Sequence, residues 1–262
     1  MNRESGFAVV PWHRGAHWWA LAWRWMFAPG RRGPWLLYGA IGLVLILVAD
    51  ELPHSELIGS TVVMFFFVGA SAIAAQKSGS GTRPSRTDLT EGLRPRLAPL
   101  LVGTVIVAAA SGLGNWLLLD SGILGSLGSA AGAVGTGADP FELAASFGVG
   151  TLLLVLAGLV WLLMIWLAAW LAPLLIVLGG SDAMAALQRS LAAAWRNGKA
   201  LTVYATLFTV FVMLAEVLSD LGWLVLAPLT ALASYAAYED LFGAGAPASD
   251  PRSSARASTG AR

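Results

Sequence analysis

WLLMIWLAAWLAPLLIVL, residues 161–178, carries no charge, and after two glycines it gives way to SDAMAALQRSLAAAWRNGK, residues 181–199. The first stretch is a membrane-spanning run, because a helix needs about 20 mostly apolar residues to cross a hydrocarbon core of about 30 Å. The second is amphipathic and basic. Ser181 is placed to N-cap a helix with Asp182 at its positive end, and Asn197-Gly198 is a C-terminal stop. Between them Met184, Leu187, Leu191 and Trp195 recur at helical spacing, with Asp182, Arg189 and Arg196 turned away. The expectation is an interfacial helix on the inner leaflet, apolar stripe down and arginines toward headgroups. Anionic lipid would favour each basic group by about 1 kcal/mol. The competing reading is a connector packed on the bundle.

Composition extends this to the whole chain. Of 262 residues 57% are hydrophobic and only 12% charged, and the mean hydropathy is +0.71. That is too little charge to coat a water-soluble domain of this size, so the solvent must largely be lipid. The absence of cysteine excludes disulfides and thiolate metal sites. Arginine far outnumbers lysine, and Ala and Gly abound, a bias expected of a GC-rich bacterium.

Six segments have the length and character of spans: 35–52, 57–75, 97–119, 147–178, 200–218 and 221–238. No ten-residue alternation suggests a spanning strand, and no cleavable signal peptide is read at the N-terminus. Every Lys and Arg falls in the N-terminal segment, the second loop, the fourth loop or the C-terminal tail. The three opposite loops hold no Lys or Arg, and their acids are Asp50, Glu51, Glu56, Asp120, Asp139, Glu142 and Asp220. The positive-inside rule therefore places both termini in the cytoplasm of a bacterial inner membrane. The fold expected is an all-α, polytopic six-span bundle with short amphipathic helices on its cytoplasmic side. Residues 1–34 form a cytoplasmic segment with a Trp-rich interfacial helix, 35–242 the membrane domain, and 243–262 a disordered tail.

The N-terminal helix is expected over 12–27, where Trp12, Trp18, Trp19, Trp23 and Trp25 crowd with Arg14 and Arg24. Tryptophan favours the membrane interface. TDLTEGLR at 87–94 is a shorter segment of the same kind, so the chain reads as three units, each an interfacial helix and a hairpin. LAPL at 97–100, 171–174 and 226–229 does not fall in equivalent places, so sequence identity behind this repeat is poor. The loop 120–138, with six glycines, is expected to be flexible and external. Asp139-Pro140 with Glu142 starts a helix that runs to about 178. Such a helix outspans the bilayer and must tilt, protrude or bend near Pro173.

Polar groups in spans are the functional suspects. Glu216 lies one turn from the outer end of its span, and Asp220 follows four residues later, on the same face if the helix continues. Such a pair suits proton or cation coupling. The plainer reading is an interfacial Glu reaching water. His54 among Asp50, Glu51 and Glu56, and His13 with His17, have metal-compatible types but are better read as solvated residues. Ser111 and Asn115, with Gly103, Gly112 and Gly114, suit close helix packing. Pro173 and Pro228 suit kinks. No phosphate-binding loop and no nucleophile elbow occurs, so no cofactor, metal or catalytic residue is expected.

Three stretches together, VPWHRGAHWWALAWRWMFAPG (10–30), WLAPLLIVLGGSDAMAALQRSLAAAWRNGK (170–199) and ALASYAAYEDLFG (231–243), resemble the BPSS-type bacterial six-span inner-membrane family. More distantly they resemble the membrane domain of glycerophosphoryl diester phosphodiesterases. The resemblance covers about residues 9–243. It implies the six-helix layout and the cytoplasmic amphipathic helices, and no activity. Where the family has a basic-acidic pair near its end, this chain has Glu239-Asp240.

Two functions follow as expectations. The first is a non-enzymatic membrane module that binds lipid or a partner, with Arg14, Arg24, Arg189, Arg196 and Lys199 as headgroup contacts. Its partners would be membrane lipids, anionic by preference, and a protein partner or a second copy, with no nucleic acid. The second is a transporter or exporter with Glu216 and Asp220 as coupling acids.

Overall fold

The structure is a computed structural model that describes residues 6–51, 59–120 and 149–243. Ten α-helices and no strand occur among them. They are α1 (Arg14–Phe27), α2 (Arg32–Asp50), α3 (Gly59–Ala70), α4 (Ala72–Gly79), α5 (Thr87–Leu93), α6 (Leu97–Asp120), α7 (Val149–Val177), α8 (Ala183–Arg196), α9 (Gly198–Val217) and α10 (Trp223–Phe242). A 3-10 turn, Ser219–Gly222, joins the last two. The glycine-rich loop, the expected helix start at Asp139-Pro140, His54 and the expected tail beyond Gly243 lie outside the described residues.

Among the described residues four helices are long and apolar enough to cross a membrane: α2, α6, α7 and α9. A fifth crossing is available if α3 and α4 count as one span bent by 53°. The bend falls at Ser71, whose hydroxyl donates to the Phe67 carbonyl at 2.6 Å. A serine hydroxyl bonding back one turn competes with the backbone ladder and bends helices.

The surface is inside-out. Leu36, Val44 and Val48 on α2, Val102 and Val105 on α6, and Leu153, Leu156 and Leu159 on α7 are all exposed. Such apolar faces suit lipid and not water. These helices together define a multi-pass helical membrane protein.

The last helix behaves differently. α10 has 20 residues, yet it is not among the apolar candidates. It is the central helix, buried from Leu226 to Ala237 on every face and packed by α1, α2, α3, α7 and α9. A helix that touches protein all round has no need to be greasy, provided its polar groups find partners. Thr230 donates to the Leu226 carbonyl at 2.8 Å, and Ser234 shares a hydrogen bond with Tyr204 at 3.2 Å.

Two prolines lie inside helices, each near a close interhelical contact. Pro228 has no N–H, so the carbonyl of Leu224, four residues earlier, loses its helical donor. Gly39 of α2 sits directly against that carbonyl. Pro173 lies inside α7. One turn before it the α7 ladder is bridged by a side chain of α8. Leu171 N–H donates to Ser190 Oγ at 3.0 Å, and the Ser190 hydroxyl donates to the Leu167 carbonyl at 3.0 Å.

Candidate functional site

α8 forms over the expected residues with two corrections at its ends. Asp182, not Ser181, is the N-cap, its side chain accepting from Ala185 N–H at 2.9 Å. The Ser181 hydroxyl instead accepts from Arg189 at 3.2 Å. Gly198 does not stop the chain but begins α9. The break is held by Asn197, whose Oδ1 accepts from Val10 N–H at 2.8 Å and whose Nδ2 donates to the Ala8 carbonyl at 3.1 Å.

The expected apolar stripe divides. Leu187 is buried, but Met184 and Trp195 are 51% and 71% exposed. The buried face of α8, which packs chiefly on α7, combines Leu187 with Ala183, Ala186, Ser190, Ala193 and Ala194. The small side chains on this face let the two helices approach closely. α8 thus has a small-residue face on the bundle, an exposed apolar edge (Met184, Trp195) and an exposed basic edge (Arg189, Arg196).

The tryptophans of α1 and of the turn before it divide in the same way. Trp18 and Trp19 are core residues, whereas Trp12 and Trp23 are 61% and 53% exposed. Trp19 donates to the Tyr204 carbonyl at 3.1 Å and stacks on the Tyr204 ring at 5.0 Å. Gly15 permits this, because a Cβ there would strike the Ala200 carbonyl.

The expected headgroup cations have unequal situations. Arg14 makes a two-point contact with Asp240, both bonds at 2.6 Å, and Trp18 Nε1 donates to the same carboxylate at 2.9 Å. Arg189 lies over the Phe242 ring at 5.4 Å and Arg196 over the Phe7 ring at 5.8 Å, at cation–π range. Arg24 and Lys199 are exposed.

A second ion pair was not anticipated from the sequence. Asp88, its side chain fully buried, pairs with Lys77 at 2.6 Å and accepts from Ser85 N–H and Oγ at 2.9 and 2.7 Å. Burial pushes this carboxyl up, but the Lys77 and Ser85 hydrogen bonds together outweigh it and the net shift is downward. Nearby, Arg31 donates to the Ser78 carbonyl at 2.7 Å, and Trp35 Nε1 to the Ser78 hydroxyl at 3.1 Å.

The expected acid pair does not form a helical face. α9 ends at Val217 and Leu218 caps it, so Asp220 lies on the 3-10 turn and the four-residue register is lost. Glu216 is exposed and accepts from Trp223 Nε1 at 3.4 Å. The Asp220 side chain lies outside the described residues. Among the described residues no group of three His, Asp or Glu is placed to hold a metal.

Between α3, α7, α9 and α10 lies a cavity of about 380 Å³. Its walls are mainly apolar, including Met64, Phe65, Phe208 and Val212, and its described lining contains no ionisable acid or base except the Tyr204 phenol. Trp170 lines it, and its indole N–H is buried with no hydrogen-bond acceptor among the described residues. It lies beside the Tyr204 hydroxyl without meeting hydrogen-bond geometry.

Comparison with protein-family models, with curated proteins and with solved structures gives no match to this chain.

Proposed function

We propose that the chain is a six-span protein of a bacterial inner membrane, with both ends cytoplasmic, that acts as a non-enzymatic module binding anionic lipid at its basic end. The observation that carries this is the division of α8, where exposed Trp195 and Met184 share a helix with exposed Arg189 and Arg196 while alanines hold it to the bundle. An apolar edge beside a basic edge is what a helix at the headgroup boundary requires. The exposed Trp23 and Arg24 of α1, with Trp12 just before it, repeat the arrangement.

The six-span reading makes α10 the last crossing. It is supported by contacts among the segments expected inside. Arg14 meets Asp240, Ala8 N–H meets the Leu241 carbonyl, Asn197 meets Val10, and Arg96 meets the Gly180 carbonyl. The family resemblance agrees with this layout but draws no support from the comparisons.

The basic groups proposed to meet headgroups are Arg24, Arg189, Arg196 and Lys199. Arg14 is committed to Asp240. Transport with Glu216 and Asp220 as coupling acids has weaker geometric support, since Glu216 is not among the described residues that line the cavity and the helical register between the two acids is broken. The test is native mass spectrometry of the protein released with its own lipids, beside a variant carrying Arg24→Gln, Arg196→Gln and Lys199→Gln. Loss of bound anionic lipid in the variant is the expected result. Equal retention would remove the basic surface as its cause.

A further inference from the structure

We propose that the pocket between the start of α2 and the α4–α5 connection holds the phosphate of an anionic phospholipid, whose chains run down the exposed side of α2. The pocket measures about 450 Å³, within the range of small-molecule sites, roughly 300–1,000 Å³. Pro34, Leu37 and Tyr38 line it from α2, and Arg83 and Arg86 from the connection. That connection is pinned at three points. Arg31 donates to the Ser78 carbonyl at 2.7 Å and to the Gly81 carbonyl, and the Tyr38 hydroxyl donates to the Ser85 carbonyl at 3.0 Å. The neighbouring cations are spent, Lys77 on Asp88 and Arg32 on the Phe27 carbonyl. Arg83 and Arg86 are exposed, and among the described residues their side chains have neither an ion-pair nor a hydrogen-bond partner. The backbone is thus fixed while two guanidinium groups remain uncommitted.

The chemistry of the lining selects the occupant. Guanidinium groups bind phosphate through paired, charge-assisted hydrogen bonds, and basic pockets beside cytoplasmic helix ends bind anionic headgroups. The described lining holds no Asp or Glu, so a headgroup with its own ammonium would meet two like charges and no counter-charge. The head is therefore a phosphodiester without a cationic group. The surface that continues from the pocket selects lipid over a soluble phosphate. Leu37, Val44 and Val48 are all exposed, and their helical spacing puts them on one side of α2. From Leu37 to Val48 the helix rises about 16 Å at ~1.5 Å per residue, the depth of one leaflet of a ~30 Å core. A lipid with its phosphate at the arginines would lay its chains along this stripe.

This site rests on the membrane placement proposed above and shares no residue with the basic surface of α1 and α8. The test titrates the delipidated full chain in detergent with dioleoylphosphatidylglycerol and, separately, with dioleoylphosphatidylethanolamine, and reads bound lipid by native mass spectrometry. Every protein in the series carries Arg24→Gln, Arg196→Gln and Lys199→Gln, which sets the other surface aside. Adding Arg83→Gln and Arg86→Gln should weaken phosphatidylglycerol binding about thirtyfold, the combined effect of two basic groups at a membrane surface. Binding of the ethanolamine lipid should not change. Arg83→Lys with Arg86→Lys keeps both charges and should recover most of the loss, whereas a loss as large as that of the Gln pair would overturn charge as its cause. Excess inorganic phosphate should leave the bound lipid in place, and displacement would overturn the lipid as occupant. Equal affinity for the two lipids before the Gln pair is added would overturn the anionic assignment. Unchanged phosphatidylglycerol binding in the Gln pair would overturn the site, whether or not the surface of α1 and α8 binds lipid.

Discussion

The Arg14 guanidinium and the Asp240 carboxylate, 226 positions apart in the chain, meet through two hydrogen bonds of 2.6 Å. This contact fastens α1 to the end of α10, and Trp18 completes it with a third bond to the same carboxylate. Both side chains are largely shielded, at 31% and 19% exposure, so the pair is better insulated than a surface salt bridge. Arg14→Gln leaves Asp240 with Trp18 as its remaining side-chain donor and should lower stability by about 1–3 kcal/mol. Thermal unfolding in detergent reads this. Arg14→Asp combined with Asp240→Arg should recover part of the loss, and a double variant no better than the worse single would assign the effect to Trp18 or to packing.

Ser190 tests whether a side chain can belong to another helix's ladder. Its hydroxyl takes the Leu171 N–H and serves the Leu167 carbonyl, one turn before Pro173. Ser190→Ala leaves both groups without that bridge and should cost about 1–3 kcal/mol. If the Ser190 bridge depends on the nearby proline, Pro173→Ala should lessen the penalty, and a double-mutant cycle would show coupling above about 0.5 kcal/mol. Additive losses would separate the two features.

Much of this architecture is legible in the sequence because lipid imposes a coarse rule. The runs giving α2, α6, α7 and α9 are apolar throughout, and α1, α5 and α8 lie where amphipathic pattern placed them. What was hidden depends on contact. Met184, Leu187, Leu191 and Trp195 read as one lipid-facing stripe, but Leu187 turns into the bundle with the alanines and Ser190 of α8, whose small side chains allow close approach. Asp88 fell within the short amphipathic segment 87–94 with no partner marked by spacing, and only folding brings Lys77 and Ser85 around it. Glu216 and Asp220 matched a helical spacing that required α9 to continue, and it ends at Val217. The cavity had no sequence signal, since Trp170, Tyr204 and Ser234 come from three separate helices.

The span count can be tested directly because the chain has no native cysteine. Single cysteines at Ser80 and Ser181 should be shielded from an impermeant maleimide applied to spheroplasts and become reactive on lysis. Cysteines at Ser55 and Ser126 should react in intact spheroplasts. Matching labelling at Ser55 and Ser80 would show that the bent pair α3–α4 re-enters without crossing.

Gly39 offers a contrast within one helix. A Cβ at Gly39 would collide with the Leu224 carbonyl, whereas one at Gly33 meets nothing within 4 Å. Backbone cannot swing aside as a flexible side chain does, so Gly39→Ala must push α2 away from α10, at a cost of about 1–3 kcal/mol. Gly33→Ala should be neutral or slightly stabilising. Equal midpoints for the two variants would mean that the α2–α10 crossing yields easily.

The Asp88 pair predicts a particular response to acid. Its carboxyl is held below its ordinary value in the folded chain, with Lys77 and Ser85 overcoming the opposing effect of burial. A carboxyl depressed on folding stabilises fully above its unfolded pKa, about 3.9. That contribution is lost as pH falls through the lower folded value. The native chain should therefore exceed Asp88→Asn in unfolding midpoint by a constant margin from pH 7 to about 5, and the margin should shrink below about 4. Differences between the two proteins isolate Asp88 from the other carboxyls titrating in the same window. A margin that persists undiminished to pH 3 would require Asp88 to act through the shape of its hydrogen bonds, with its charge contributing little.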